Sequence, residues 1–196
     1  MDLFEAIRTT RAMRRLDASK DVSDDDLLAI VEAATKAPSG GNGQPVRWIV
    51  VKDPAKRAAL GAIYKEAWGP VSQMYQSRQD ASISKILTSA DHLGEHMGDA
   101  PAIVIPCTHG AGDAASVYPA VQNLMLAARA LGLGTTLTTV HRLKEDKVRE
   151  VLGLPDDVTT WAMIPVGYPT GKWGEAERRP VREVAYWDSW KQPPPA

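Results

Sequence analysis

Three stretches of this sequence carry side chains whose type and spacing could do chemistry. The first is Arg11-Ala12-Met13-Arg14-Arg15, whose arginines lie within about one helical turn of each other, just past a short amphipathic segment. Planar guanidinium forks suit a phosphate, which they hold bidentately. The same cluster also reads as a solvated basic surface, although Met13 inside it favours partial burial. The second is Ala37-Pro38-Ser39-Gly40-Gly41-Asn42-Gly43-Gln44-Pro45. Prolines at both ends and glycines between them rule out a continuing helix, so this is an irregular loop. It is either a plain helix-to-strand connection or a fixed wall that offers backbone N–H groups and amides to a ligand. The third is His92-Leu93-Gly94-Glu95-His96, which fits an H-x-x-E-H zinc pattern. On a helix the two histidines would share one face. Gly94 weakens such a helix by about 1 kcal/mol, and short patterns match by chance, so two half-exposed histidines without a metal is the favoured reading.

Other candidates fail on spacing. Gly132-Leu133-Gly134 suggests a dinucleotide fingerprint, but Leu137 stands where glycine or alanine is required, and the helix precedes the glycines instead of following them. These glycines read as a helix C-cap. No lysine-bearing phosphate loop and no G-x-S-x-G elbow is present. Cys107, the one cysteine, ends the apolar run from Ala102 and reads as a buried, inert thiol. His109 and His141 have no evident partner. Without a nucleophile–base pair, an enzyme of this sequence would rely on a bound cofactor.

The elements that must position these groups follow from periodicity. Leu3, Phe4 and Ile7 give a short first helix an apolar edge. Ser23 reads as an N-cap followed by Asp24, Asp25 and Asp26, and Leu27, Leu28, Val31 and Ala34 continue at helical spacing until Pro38. Val46 to Val51 is strand-like, and Pro54 opens another helix through Leu60 and Ile63. Val71 to Ser84 is polar and weakly periodic, which predicts a mobile excursion. Ile86 to Met97 is helical, Ala102 to Cys107 is a buried strand, and Tyr118 to Leu131 is a central helix. Then come a strand over Thr135 to Val140, a helix from Lys144 to Leu152 and a strand over Thr160 to Val166. The remainder has three tryptophans and one short possible strand at Val181 to Ala185. A tail so aromatic is expected to pack on a partner.

Composition bounds the function. A chain of 196 residues suits one domain that buries about 70% of its unfolded surface. A net charge of -1 excludes a dedicated nucleic-acid binder, and a single cysteine excludes an internal disulfide framework. With no signal-like apolar segment and no run long enough to span a bilayer, the expectation is a soluble cytoplasmic protein with no membrane partner. Strands separated by helices predict a layered α and β domain.

Taken in order, these segments resemble the nitroreductase family of FMN-dependent oxidoreductases. Arg11-Ala12-Met13-Arg14-Arg15-Leu16 is similar to its basic phosphate motif, and Ala37 to Pro45 to its most specific signature. Ala130-Leu131-Gly132-Leu133-Gly134-Thr135-Thr136 and Pro165-Val166-Gly167-Tyr168-Pro169 are similar to its later landmarks. The resemblance implies an α+β fold, a three-layer α/β/α sandwich with a mixed, largely antiparallel sheet. It also implies an intertwined homodimer: a single domain over residues 1–196 whose tail, from about 170 to 196, embraces the other subunit, with two FMN molecules at the interface. Carried over by position, Arg11 and Arg14 hold the FMN phosphate beside the Met13 backbone. Pro38, Ser39, Gly40, Asn42 and Gln44 line the isoalloxazine and ribityl side, some across the interface. Leu137, Thr138, Thr139 and Val140 run along the ring, and Arg179 returns to the phosphate.

The implied activity is hydride transfer from NAD(P)H through flavin N5 to a nitroaromatic, quinone or similar acceptor, with no side chain required as a catalytic acid or base. The Val71 to Ser84 segment would border the open face and set acceptor choice. Thr10 and Ala12 depart from the family pattern and remove one basic and one hydroxyl contact to phosphate. The alternatives are a non-catalytic protein that sequesters FMN and a benzimidazole-synthase-like enzyme that cleaves reduced FMN with oxygen. The latter branch usually carries an acidic residue in the basic motif, where this chain has Ala12-Met13.

Overall fold

A computed structural model describes residues 1–77, 81–110 and 112–195, with backbone alone for 81–85. Helix α1 spans Leu3–Thr9 and α2 spans Asp24–Thr35. The expected cap is present: Ser23 Oγ accepts from Asp26 N at 3.0 Å, and three aspartates occupy the positive end of the helix dipole. Strand β1 is Arg47–Val51, and α3 runs Pro54–Gln76 with Asp53 as its cap. After α4 (Ala81–His96) and β2 (Ala102–His109) comes the long helix α5 (Ala114–Ala130). The remaining elements are β3 (Gly134–Thr135), α6 (Glu145–Leu152), β4 (Val158–Thr160), β5 (Ile164–Gly167) and α7 (Val181–Val184).

The strand order is β1-β2-β5-β3, with β4 also on β2, and every pairing among the described residues is antiparallel. Central β2 has both faces buried, and its side chains alternate between two cores. Ala102 and Val104 join α2 and α5 through Ile30, Val117, Val121 and Leu124. Ile103, Ile105 and Cys107 join α3, α4 and α6 through Leu60, Tyr64, Leu93 and Val148. A slip of one residue would exchange these two sets, so the register is firmly fixed. The result is three layers, with helices on both faces of the sheet.

Four expectations change. The excursion predicted over Val71 to Ser84 is helical at both ends: α3 continues to Gln76 and α4 begins at Ala81, while residues 78–80 lie outside the described residues. The polar residues there are used between the helices, since Asp91 Oδ1 accepts from both Trp68 Nε1 and Ser72 Oγ. The strand over Thr160 to Val166 is split. Two residues of β2, Ile105 and Pro106, face three, Trp161 to Met163, and this bulge turns Met163 toward Thr138. The strand over Thr135 to Val140 shrinks to β3 plus one bridge at Thr138, because β5 offers an edge only as far as the bulge allows. Val181 to Ala185 forms α7 instead of a strand: among the described residues no sheet edge is paired with it, and Ala185 N bonds locally to Val181 O at 2.9 Å.

Candidate cofactor site

The basic segment is held in extended form against β3 and β5. Met13 N donates to Thr135 O at 2.9 Å, and Thr136 Oγ1 donates back to Met13 O at 2.9 Å. Leu16 bridges Pro169, and Asp17 N donates to Tyr168 O at 2.8 Å. Met13 is only 5% exposed. It packs so closely on Gly134 that a Cβ there would lie 2.8 Å from Met13 Cβ. The Gly-containing landmark after α5 therefore exists, at least in part, to admit the arginine segment. Gly132 serves as the expected C-cap, with φ 79°.

With Met13 turned inward, Arg14 is half-buried at the edge of a cavity of about 310 Å3 that Tyr64, Trp68, Leu93, Leu137 and Thr138 also line. Burial lowers the Arg14 pKa, and among the described residues no carboxylate pairs with it. A desolvated, unpaired guanidinium costs stability unless an anion meets it. Arg14 also borders a smaller cavity of about 180 Å3 beside His92, His96 and Asp99.

The other wall comes from residues after β3. Thr138 exchanges two backbone hydrogen bonds with Met163, at 3.2 and 2.9 Å, and its hydroxyl lies 3.1 Å from Tyr64 Oη in a buried contact. Its neighbours Leu137 and Thr139 are exposed, and Val140 opens a 3-10 turn. Alternation along an extended segment thus turns Thr138 inward and leaves the flanking residues toward the open side.

The Pro38 to Pro45 loop lies elsewhere. A 3-10 turn at Gly40–Asn42 is followed by an unusual backbone, with Asn42 at φ 55° and Gln44 at φ 46°. Such left-handed conformations in residues other than glycine carry strain and occur where the surroundings impose them. Here Gln44 N donates to Ser39 Oγ at 3.0 Å and Gly40 N donates to Ser116 Oγ at 3.2 Å. Ser39 and Gln44 line a cavity of about 150 Å3 that shares no residue with the one at Arg14. Pro38, Gly40 and Asn42 are exposed. Arg11 and Arg179 are exposed as well and do not line the Arg14 cavity; the Arg11 guanidinium instead reaches the tail near Gly174.

One chain therefore gathers Arg14, Leu137 and Thr138, carries Met13 behind them with Thr139 and Val140 alongside, and leaves the loop residues, Arg11 and Arg179 apart. Sequence reasoning missed Tyr64 and Trp68. They stand four apart on α3, so a helix there carries them on one face, and that spacing was a usable signal. It also missed Ser116, which no motif marks.

The H-x-x-E-H histidines do share a face, with ring centroids 4.3 Å apart. However, Arg15 Nη1 donates to His92 Nδ1 at 3.0 Å, and His96 Nδ1 lies 2.7 Å from Asp99 Oδ2. A guanidinium on Nδ1 leaves the proton of neutral His92 on Nε2, which is the wrong form for a metal ligand. Among the described residues no group of three His, Cys, Asp or Glu side chains could hold a metal ion.

A Thermus thermophilus protein named NADH dehydrogenase is 28% identical, covering 95% of this chain and 96% of its own. A 5,6-dimethylbenzimidazole synthase of Rhodospirillum rubrum is 29% identical, covering 93% of this chain and 84% of its own. The crystal structure of an iodotyrosine deiodinase bound to FMN and 3-iodo-L-tyrosine matches the fold with a TM-score of 0.80 at 20% identity, over 96% of this chain and 100% of that one. The sequence profile of the nitroreductase family matches residues 7–168, and the chain belongs to that family.

Proposed function

We propose that the protein is an FMN-dependent oxidoreductase that takes a hydride from NAD(P)H and reduces a small acceptor such as a quinone or nitroaromatic. The observation that carries this reading is Arg14, a half-buried cation with no carboxylate partner among the described residues, set at a cavity that Leu137 and Thr138 also line. FMN fits that chemistry. It brings anionic charge and a polar ring edge for the guanidinium, and a flat ring for the wall at Leu137 and Thr138. When bound, it supplies the hydride and electron transfer, which no described side chain could perform alone. The chain's own part is to orient the donor and acceptor, exclude water and set positive charge where reduction builds up negative charge.

The working unit is a homodimer. A cavity of about 310 Å3 sits at the low end for ligand sites, and no residue of the loop from Pro38 to Gln44 lines it within one chain. A second copy would bring Pro38, Ser39, Gly40, Asn42 and Gln44 to the open side, with Arg11 and Arg179 completing the phosphate end. Apolar side chains left in solvent support this, among them Phe4 at 66% and Trp190 at 80% exposure. The whole chain would then act as one domain, with its tail from about residue 170 laid on the partner. Among the described residues no helix is long and apolar enough to cross a membrane, and we place the protein in the cytoplasm.

The test is the visible spectrum and mass of the co-purified cofactor, followed by NAD(P)H oxidation with menadione as acceptor. A yellow dimer that turns over is expected. Colourless protein that FMN cannot reconstitute would refute the cofactor, and tightly bound FMN without turnover would favour the sequestering alternative.

A further inference from the structure

We propose that Trp68 is the residue on which the acceptor stacks, so that the site selects flat aromatic or quinonoid acceptors by ring contact. The proposal rests on the oxidoreductase reading and deepens it. Trp68 lines the Arg14 cavity together with Tyr64, Tyr75, Ile86 and Leu87. Its indole is fixed from two directions. Nε1–H donates to Asp91 Oδ1 at 2.8 Å, and the same oxygen accepts Ser72 Oγ–H at 2.6 Å, with Gln76 Nε2 donating to Ser72 at 3.1 Å. From α4, Gly94 leaves room for the ring: a Cβ there would overlap Trp68 Cδ1. This accounts for the glycine in the H-x-x-E-H segment, which weakens its own helix. Tyr75 extends the aromatic wall, with its ring centroid 6.5 Å from Trp68 at an interplanar angle of 28°.

The hydrogen-bonding edges of this wall are already engaged, the indole N–H on Asp91 and the Tyr64 hydroxyl on Thr138. What Trp68 offers the cavity is a rigid π-face, which holds a ring and gives little to a compact hydrated ion. In the reaction NAD(P)H is oxidised to NAD(P)+. A quinone takes up two electrons and two protons to become the hydroquinone, one proton arriving with the hydride and the other from solvent.

The experiment compares menadione with ferricyanide, an inorganic one-electron acceptor that needs no stacking surface, in holoenzyme carrying Trp68→Leu, Trp68→Phe or Gly94→Ala. Trp68→Leu is expected to raise KM for menadione about tenfold, with FMN per chain and ferricyanide turnover unchanged. Trp68→Phe restores most of the menadione affinity, and Gly94→Ala reproduces the Trp68→Leu effect because the new methyl displaces the indole. KM values that move together for both acceptors, or that do not move, overturn the proposal. Loss of FMN from the Phe and Leu variants alike also overturns it, by assigning Trp68 to the cofactor. Failure of the oxidoreductase reading is seen separately, as unmodified protein that lacks FMN or does not oxidise NAD(P)H.

Discussion

Gly40 N donates to Ser116 Oγ at 3.2 Å and so ties the glycine-rich loop to the first turn of α5. Ser116 is itself oriented by the cap of that helix, because its hydroxyl donates to Asp113 Oδ2 at 3.3 Å. The loop therefore takes its position from a buried side chain of the central helix, not from its own flexible sequence. Replacing Ser116 with Ala should free the turn at a cost of about 1 kcal/mol. Measured by flavin fluorescence, FMN affinity should fall up to about tenfold while Ser116→Thr retains it. Equal affinity in the Ala variant would show that the loop does not need this anchor.

Arg14 makes the opposite kind of prediction. A half-buried cation that burial disfavours and that no carboxylate among the described residues offsets should destabilise the protein when no anion is bound. Arg14→Ala should weaken FMN binding by about tenfold to a hundredfold, since a charge-assisted bond contributes about 1.5–3 kcal/mol. The flavin-free variant should melt no lower than the flavin-free parent. A lower melting temperature for the apo variant, with FMN affinity intact, would make Arg14 a structural residue.

What was readable in the sequence was what local chemistry decides. The Ser23 cap, the two-sided burial of Ala102 to Cys107, the Gly132 C-cap and the irregular loop each depend on a few adjacent residues. What was missed depends on partners far along the chain. The bulge at Trp161 to Met163 arises from its register with Ile105 and Pro106, which no window around residue 160 contains. The polar side chain of Ser72 in the last turns of α3 finds its partner at Asp91, nineteen residues further on. Val181 to Ala185 has strand-like composition but, among the described residues, no sheet edge paired with it, so it closes on itself as α7. The site divides in the same way. Arg14 and Thr138 could be named from motifs, whereas the spacing of Tyr64 and Trp68 marks a shared helix face and only the packing of α3 ties that face to the cavity.

Cys107 should be silent in the native protein. It is 2% exposed, and burial pushes its thiol pKa up to about 12, so almost no thiolate forms near neutrality. At pH 8, 5,5′-dithiobis(2-nitrobenzoate) should label no thiol in the folded chain and one in denaturant. Rapid native labelling would mean that β2 opens far more readily than its position between two cores implies.

His141 gives the fold an acid limit. It is 0% exposed; its Nε2 lies 3.1 Å from Thr160 Oγ1, whose hydroxyl donates to Glu145 Oε1 at 2.9 Å, and its Nδ1 has no partner among the described residues. Because Thr160 gives its own proton to Glu145, it must accept from His141, which fixes the neutral Nε2–H form. Burial lowers the pKa to about 4 from the ordinary 6.5, with Glu145 opposing the shift and Arg142 adding to it. The unfolded chain therefore takes up a proton near pH 6.5 that the folded chain refuses until about pH 4. Above pH 6.5 the group imposes no proton-linked penalty; as pH falls from 6.5 toward 4, stability is lost, by about 2 kcal/mol at pH 5 from this residue alone. His141→Gln keeps a donor toward Thr160 and does not titrate. Urea unfolding between pH 7 and 5 should show the parent losing about 2 kcal/mol relative to this variant, whereas parallel profiles would mean that His141 titrates alike in both states.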